Sequence, residues 1–229
     1  MNLLAFDTST EACAVGLLAD GAGRGRFELT PRRHTDCVLP WCDELLAQAG
    51  VAKSGLQAVA VGVGPGAFTG VRLGVSLAQG MALALGIPLV PVSTLAAIAQ
   101  AQDHDGPIAV VMDARMGECY AGFYQKRDGI AVALAPERLL APDALALPSD
   151  GDWIGAGSGF SAYAARLPAA FSAAMGRIDA EALPHPEALL QLGEYGLRAG
   201  LALPPERIEP TYLRDKVALT LDERGKSTP

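Results

Sequence analysis

Short apolar runs broken by glycine, proline and acidic turns alternate with longer stretches in which apolar residues recur three and four positions apart. Residues 2–7 are an apolar run ending in Asp7, the pattern of a buried strand. Residues 13–18 and 24–29 read as two more strands, joined by a tight turn at Asp20-Gly21. The spacing predicts a helix over 35–48, closed by Gly50, whose apolar positions include Val38, Leu39, Trp41, Leu45 and Leu46. Pro40 lies inside it and is expected to kink it or delay its start. A strand over 57–63, a helix over 69–85, a strand over 89–92 and a helix capped by Ser93 complete a βββαβαβα order.

Asp103-His104-Asp105-Gly106-Pro107 is the clearest polar break, and a similar opening follows it. Strands are expected at 108–112, 118–125 and 130–134, then a short strand at 153–155 and helices at 159–166 and 186–202. This divides the chain into an N-terminal lobe, 1–103, a C-terminal lobe, 104–215, and a charged, mobile tail, 216–229. Two lobes that each open on three antiparallel strands fit an α/β fold of the actin, hexokinase and Hsp70 type. That is the two-lobed actin-like ATPase (ASKHA, ribonuclease-H-like) architecture, with a duplicated lobe.

Between strand 57–63 and the next helix lies Gly64-Pro65-Gly66-Ala67-Phe68-Thr69-Gly70, a strand-to-helix turn with Thr69 as the expected N-cap. The helix then carries Gly70, Gly74, Ala78 and Ala82 four apart, a smooth face that another helix can approach closely. Val71, Leu73, Val75, Leu77 and Met81 widen the apolar surface around it, and the preceding helix adds Val38, Trp41 and Leu45. On the residues alone, either the chain's own sheet or a partner covers that face.

Composition narrows the function. Half the residues are hydrophobic and 19% are charged, so the chain is a globular protein with a large core. A net charge of −7 and a pI near 4.9 exclude a self-sufficient nucleic-acid surface, which needs clustered Lys and Arg. The start lacks the basic stretch of a signal peptide, and the best apolar run, 81–92, is broken by Gly86, Pro88 and Pro91, so no membrane association is expected. Four scattered cysteines give no disulfide framework and point to the cytoplasm.

Three kinds of chemistry remain to be weighed. An actin-like fold clamps ATP with a hairpin reading Asp-x-Gly-Thr, but here the hairpin is Asp7-Thr8-Ser9-Thr10, with Ser9 at the glycine position. The second lobe's equivalent, Asp113-Ala114-Arg115-Met116-Gly117, puts two long side chains where a bare loop is needed. Only the glycines of Gly155-Ala156-Gly157-Ser158-Gly159 keep the pattern, so Asp7, Ser9, Thr10, Asp113, Gly155 and Gly157 read as a degenerate nucleotide cleft. No cofactor is expected beyond weak binding of ATP or ADP. Gly64-Pro65-Gly66 with Arg72 reads equally as an anion site or a plain turn, and matches neither a Walker loop nor a Rossmann fingerprint. No metal site is expected: His34 and Cys37 can share a helix face, but Cys42 points away, and His104 and His185 sit in loops. A peptidase would need a histidine base for Ser9, Ser76 or Ser93, and none is suitably placed.

Gly-Pro-Gly-Ala-Phe-Thr-Gly-Val-Arg-Leu-Gly at 64–74, with Asp7-Thr8-Ser9-Thr10 before it and Asp113-Ala114-Arg115 and Pro210-Thr211-Tyr212-Leu213-Arg214 after it, resembles the TsaB (YeaZ) family from position 3 to about 217. The resemblance implies a non-catalytic partner of TsaD, the enzyme that transfers a threonylcarbamoyl group to the adenosine beside the tRNA anticodon, with the ATPase TsaE as a further partner. It also implies that the helices at 35–48 and 69–85 pair with the same two helices of TsaD, or of a second TsaB, as a four-helix bundle. The partner face is then Val38, Trp41, Leu45, Gly70, Val71, Gly74, Ala78 and Ala82, with a homodimer in isolation and tRNA reached only through the complex. TsaD carries a His-x-x-x-His metal motif after its glycine-turn helix, whereas residues 93–99 contain no histidine. Ala67 stands where the family has Ser and Gln79 where it has Lys. A small-molecule kinase of the same fold, a glycoprotease-like peptidase and a stand-alone homodimeric scaffold are the alternatives.

Overall fold

The structure is a computed structural model and describes residues 1–31 and 33–214. β1 (Leu3–Asp7), β2 (Ala12–Ala19) and β3 (Ala22–Leu29) form an antiparallel meander. After α1 (His34–Ala49), β4 (Ala58–Gly62) joins the free side of β1 in parallel, and after α2 (Phe68–Leu85), β5 (Leu89–Val92) extends the sheet to the order β3-β2-β1-β4-β5. α3 (Thr94–Gln100) leads to a second meander of β6 (Pro107–Asp113), β7 (Cys119–Arg127) and β8 (Ile130–Ala133), with β9 (Arg138–Leu140) also paired to β7. β10 (Trp153–Ala156) and, after α4 (Gly159–Ala162) and α5 (Ala169–Ala173), β11 (Met175–Asp179) add in parallel beyond β6. The second sheet thus repeats the pairing pattern of the first, and α6 (Pro186–Arg198) follows it. This is the two-lobed α/β arrangement expected of an actin-like fold.

Alternation along the strands sends side chains to two layers. Leu4 and Phe6 of β1, Cys13 and Val15 of β2, and Val59 and Val61 of β4 face α1 and α2. Leu3, Ala5, Ala14, Ala58 and Ala60 face the other way, where Leu189, Leu190 and Leu192 of α6 cover them. The residues on that side are mostly small, so the helix lies close: a Cβ added at Gly193 would come within 2.6 Å of the Ala60 Cβ. α3 crosses the other way, placing Leu95, Ile98 and Ala99 against Ile108, Val110 and Tyr124 of the second sheet. The Gln100 amide donates to the Gly129 carbonyl at 2.8 Å and to Gln191 Oε1 at 2.7 Å, and accepts from the Ala131 N–H.

The lobes therefore exchange helices, and the division expected at 103/104 separates the sheets without separating the packing units. Other differences are local. α1 starts at His34 with Pro40 in its second turn, so the proline does not delay it. α2 starts at Phe68 with Ala67 as its N-cap and no side-chain cap, so Thr69 does not cap it. The helix expected over 159–166 stops at Ala162, and the one over 186–202 stops at Arg198. The tail at 216–229 lies outside the described residues. α2 is long and apolar enough, by composition, to cross a membrane, but its inner side packs on the first sheet.

Ser93 caps α3, accepting from the Ala96 N–H at 3.2 Å, and its own hydroxyl donates to Glu137 of the second lobe. Ser93→Ala is expected to lower stability by about 1–2 kcal/mol, since both a cap and a cross-lobe bond are lost. A urea midpoint unchanged from wild type would show that neither contributes.

Candidate functional site

The end of β1 delivers Asp7 into a fully buried position beneath the first hairpin. Its Oδ1 accepts from the Ser9 N–H at 2.7 Å and from the Ser9 hydroxyl, and its Oδ2 accepts from the Thr94 hydroxyl at 2.8 Å. Burial pushes the Asp7 carboxyl above its ordinary value, and the bonds from Ser9 and Thr94 oppose that shift. Thr10 Oγ1 accepts from the Ala12 N–H, closing the turn.

α2 begins directly on top of this hairpin. The Ala67 N–H donates to the Ser9 carbonyl at 2.7 Å, and the Thr8 hydroxyl donates to the Gly70 carbonyl at 2.7 Å. A Cβ at Gly70 would sit 2.1 Å from the Thr8 carbonyl oxygen, and one at Gly74 would sit 2.8 Å from Thr8 Oγ1. Ala78 and Ala82 are buried in the same core, with Val71 beside them, and Val38, Trp41 and Leu45 of α1 point into it as well. The chain's own hairpin and sheet cover this face: of the residues expected to meet a partner, Val38, Trp41, Leu45, Val71, Gly74, Ala78 and Ala82 are buried and Gly70 is partly so.

The outward side of α2 is a second, displaced stripe: Leu73, Ser76, Leu77, Gly80, Leu83 and Ala84, partly or fully exposed. Leu83 is 65% exposed, and a Cβ at Gly80 would meet nothing within 4 Å. At its C-terminal end a cavity of about 360 Å³ opens between Leu83, Gly86 and Ile87 on one side and Leu203, Pro204 and Pro205 on the other.

The nucleotide site that the fold implies is tested by the same geometry. The Ser9 N–H is held by Asp7, the Ser9 carbonyl by Ala67, and the backbone of α2 lies against the hairpin where a phosphate would approach. In the second hairpin, Asp113 accepts from the Arg115 N–H at 2.8 Å and from the Tyr163 hydroxyl at 2.6 Å, and pairs with the Arg115 guanidinium at 3.1 Å. The glycines at 155 and 157 serve packing: a Cβ at Gly155 would strike the Phe160 ring, and one at Gly157 the Val111 carbonyl, at 2.5 and 2.7 Å. The residues present do not fit a phosphate clamped between two bare hairpins.

Other chemistries find no assembly either. Burial pushes the Cys13 and Cys42 thiols up to about 12, which keeps them protonated, and Cys37 is buried beside them. His34 Nε2 lies 3.2 Å from the Ala12 carbonyl. Among the described residues no three His, Cys, Asp or Glu side chains converge on a metal position. Ser9 is bonded to Asp7 and Thr94, and Ser93 to Glu137, so neither has a histidine partner among the described residues.

The last described segment draws the motifs together. The Thr211 N–H donates to the Val63 carbonyl at 2.7 Å, at the edge of the Gly-Pro-Gly turn. Arg72 of α2 donates through Nε to the Tyr212 hydroxyl at 2.6 Å, and Arg214 donates to the Ala114 carbonyl at 3.0 Å and pairs with Glu118. Residues 210–214 therefore strap the start of α2 to the second hairpin.

Comparison with known proteins decides the family. The tRNA threonylcarbamoyladenosine biosynthesis protein TsaB of Escherichia coli K12 is 38% identical over 225 residues, covering 95% of this chain and 96% of that one. The chain belongs to the TsaB (YeaZ) family. The Haemophilus influenzae TsaB is 35% identical, with 95% of each chain covered. The structure of YeaZ from Pseudomonas aeruginosa superposes with a TM-score of 0.87 at 42% identity, covering 93% of this chain and 99% of that one. A family model described as TsaD, tRNA N6-adenosine threonylcarbamoyltransferase, fits residues 28–220, so the TsaB chain carries a TsaD-like domain. The motifs on which the TsaB resemblance rests all lie along one rim: the first hairpin, the start of α2, the second hairpin and the strap.

Proposed function

We propose that this chain is the non-catalytic partner of a TsaD-type threonylcarbamoyltransferase, which it binds and holds in its active conformation. The observation that carries the reading is the outward stripe of α2, a largely apolar helix face with a glycine at its middle that the described residues leave open at Ser76, Gly80, Leu83 and Ala84. Such a stripe lets a partner helix pack at short distance. A TsaD-like domain facing another TsaD-like domain through matching helices makes a quasi-isologous contact, and a homodimer of this chain through the same face follows when the partner is absent. The closed hairpins support a role without nucleotide chemistry, and the acidic charge supports a complex in which other subunits hold most of the tRNA. A TsaE-type ATPase completes the set, acting in the cytoplasm.

Two variants test the surface without touching the core. Gly80→Leu adds bulk where the folded chain has open space, and Leu83→Glu puts a charge on an exposed position. Each is expected to weaken association with TsaD at least roughly tenfold, as charge or steric conflict at a packed helix contact does. Thermal midpoints should stay at the wild-type value. The decisive assay is threonylcarbamoyladenosine formation on tRNA by TsaD, TsaE, ATP and preformed threonylcarbamoyl adenylate, with and without this chain. Product that forms equally well without it overturns the reading.

A further inference from the structure

At the N-terminal end of α2 three exposed side chains are locked together. The Arg72 guanidinium lies 3.7 Å over the Phe68 ring and 5.5 Å from the centre of the Tyr212 ring, while its Nε donates to the Tyr212 hydroxyl. The two rings stand 5.8 Å apart, tilted by 37°, and are 46% and 48% exposed. With Nε engaged, four N–H donors remain on the Arg72 fork, and among the described residues no carboxylate pairs with it.

The strap continues from this cluster to the second hairpin, where Arg214 donates to the Ala114 and Arg115 carbonyls. Arg115 and Met116 stand there in the left-handed region, at φ 63° and 57°, which displays the Arg115 side chain at 88% exposure. Asp113 is engaged by Arg115 and Glu118 by Arg214, while Glu11 of the first hairpin and Glu209 before the strap are exposed. Arg72 and its two rings form a small cationic, aromatic cluster on a chain whose net charge is −7.

Fastening the strap does not require half-exposed rings or a guanidinium without a carboxylate partner among the described residues, since the Thr211–Val63 and Arg214–Glu118 bonds flank them. Exposed rings beside an arginine are the surface on which single-stranded nucleic acid stacks and pairs its phosphates. A protein partner's acidic segment suits such a cluster less well, because the exposed apolar groups near it among the described residues are the two rings and Met116, and charge pairing to one guanidinium is a weak anchor. We propose that Phe68, Arg72 and Tyr212 contact an unpaired nucleotide of the RNA substrate, a base stacking on the exposed rings and a phosphate taken by the Arg72 fork. This rests on the reading that the chain works in a tRNA-modifying complex. One guanidinium is too little to hold RNA alone, so the contact positions a strand that other subunits retain.

The test is fluorescence anisotropy of a labelled anticodon stem-loop RNA, with an unpaired loop, against the chain assembled with its transferase at several salt concentrations. Arg72→Ala is expected to weaken binding roughly fivefold to tenfold and to lower the salt slope by about 0.7–1, the signature of one lost phosphate contact. Tyr212→Ala should weaken binding roughly tenfold and leave the slope nearly unchanged. Tyr212→Phe keeps the ring and loses only the strap bond, and should bind as wild type. RNA affinity that is unaltered in both alanine variants overturns the proposal, as does a loss that appears in the protein–protein association instead, which would mark the rim as a protein dock. Failure of the wild-type chain to assemble with the transferase is a separate result, seen before any RNA is added; it overturns the partner reading and this contact with it, because the chain alone cannot retain the RNA.

Discussion

Gly70→Ala destabilises the chain by about 3–5 kcal/mol, the expected result of pressing one methyl group into a backbone. The added Cβ would lie 2.1 Å from the Thr8 carbonyl oxygen, and neither side can yield by a rotamer change. Relief requires α2 to lift from the hairpin, which breaks the Thr8–Gly70 and Ala67–Ser9 hydrogen bonds. Overpacking of this kind costs about 1–3 kcal/mol, and each lost bond adds about 1 kcal/mol. Gly74→Leu should be worse, because the buried position opposite Thr8 has no room for an isobutyl group. That variant therefore reports on folding and cannot report on partner binding. Gly80→Ala is the control: the site is open and helical, so the alanine should stabilise by up to about 1 kcal/mol. Urea unfolding of the three variants checks the pattern, and a wild-type midpoint for Gly70→Ala would mean that α2 does not rest on the hairpin.

That contrast explains where the sequence was readable. The strand runs, the capping Ser93 and the repeated three-strand opening were all legible, because each is a local pattern with a local cause. Ser9 at a glycine position and the long side chains of Arg115 and Met116 already spoke against a phosphate cradle, and the hydrogen bonds of Asp7 and Asp113 show what the hairpins hold instead. The inner face of α2 was not legible. Residues 70, 74, 78 and 82 form one stripe and residues 73, 77, 80 and 84 another, and helical periodicity alone cannot say which stripe meets the sheet. What decides is the neighbour: the glycines belong where a backbone hairpin, rather than a side chain, is the contact surface. The exchanged helices were hidden for a similar reason. Leu189, Leu190 and Leu192 announce a buried side of α6 without naming the sheet that buries it. β11 is largely exposed at a sheet edge and has no apolar run to betray it.

Asp7→Ala is expected to cost about 3 kcal/mol. It leaves the buried Ser9 N–H without its acceptor and opens a void under the hairpin. The Ser9 and Thr94 hydroxyls, 2.7 Å apart, can still serve each other, which keeps the loss from being larger. Asp7→Asn preserves shape and retains an oxygen for the Ser9 donors, so it should fold, and its comparison with wild type isolates the charge. Burial raises the folded carboxyl above its ordinary 3.8, so the favourable contribution of Asp7 is complete below about pH 4 and is lost as pH rises through the folded value. The asparagine does not titrate. The stability difference between the two proteins should therefore move in favour of Asp7→Asn as the pH is raised from 3.5, then level off once the folded carboxyl has ionised. Urea midpoints across that range measure it. A difference that stays flat, or that grows in favour of the wild type, would mean that the Ser9 and Thr94 donors outweigh burial and that the hairpin is built around a carboxylate.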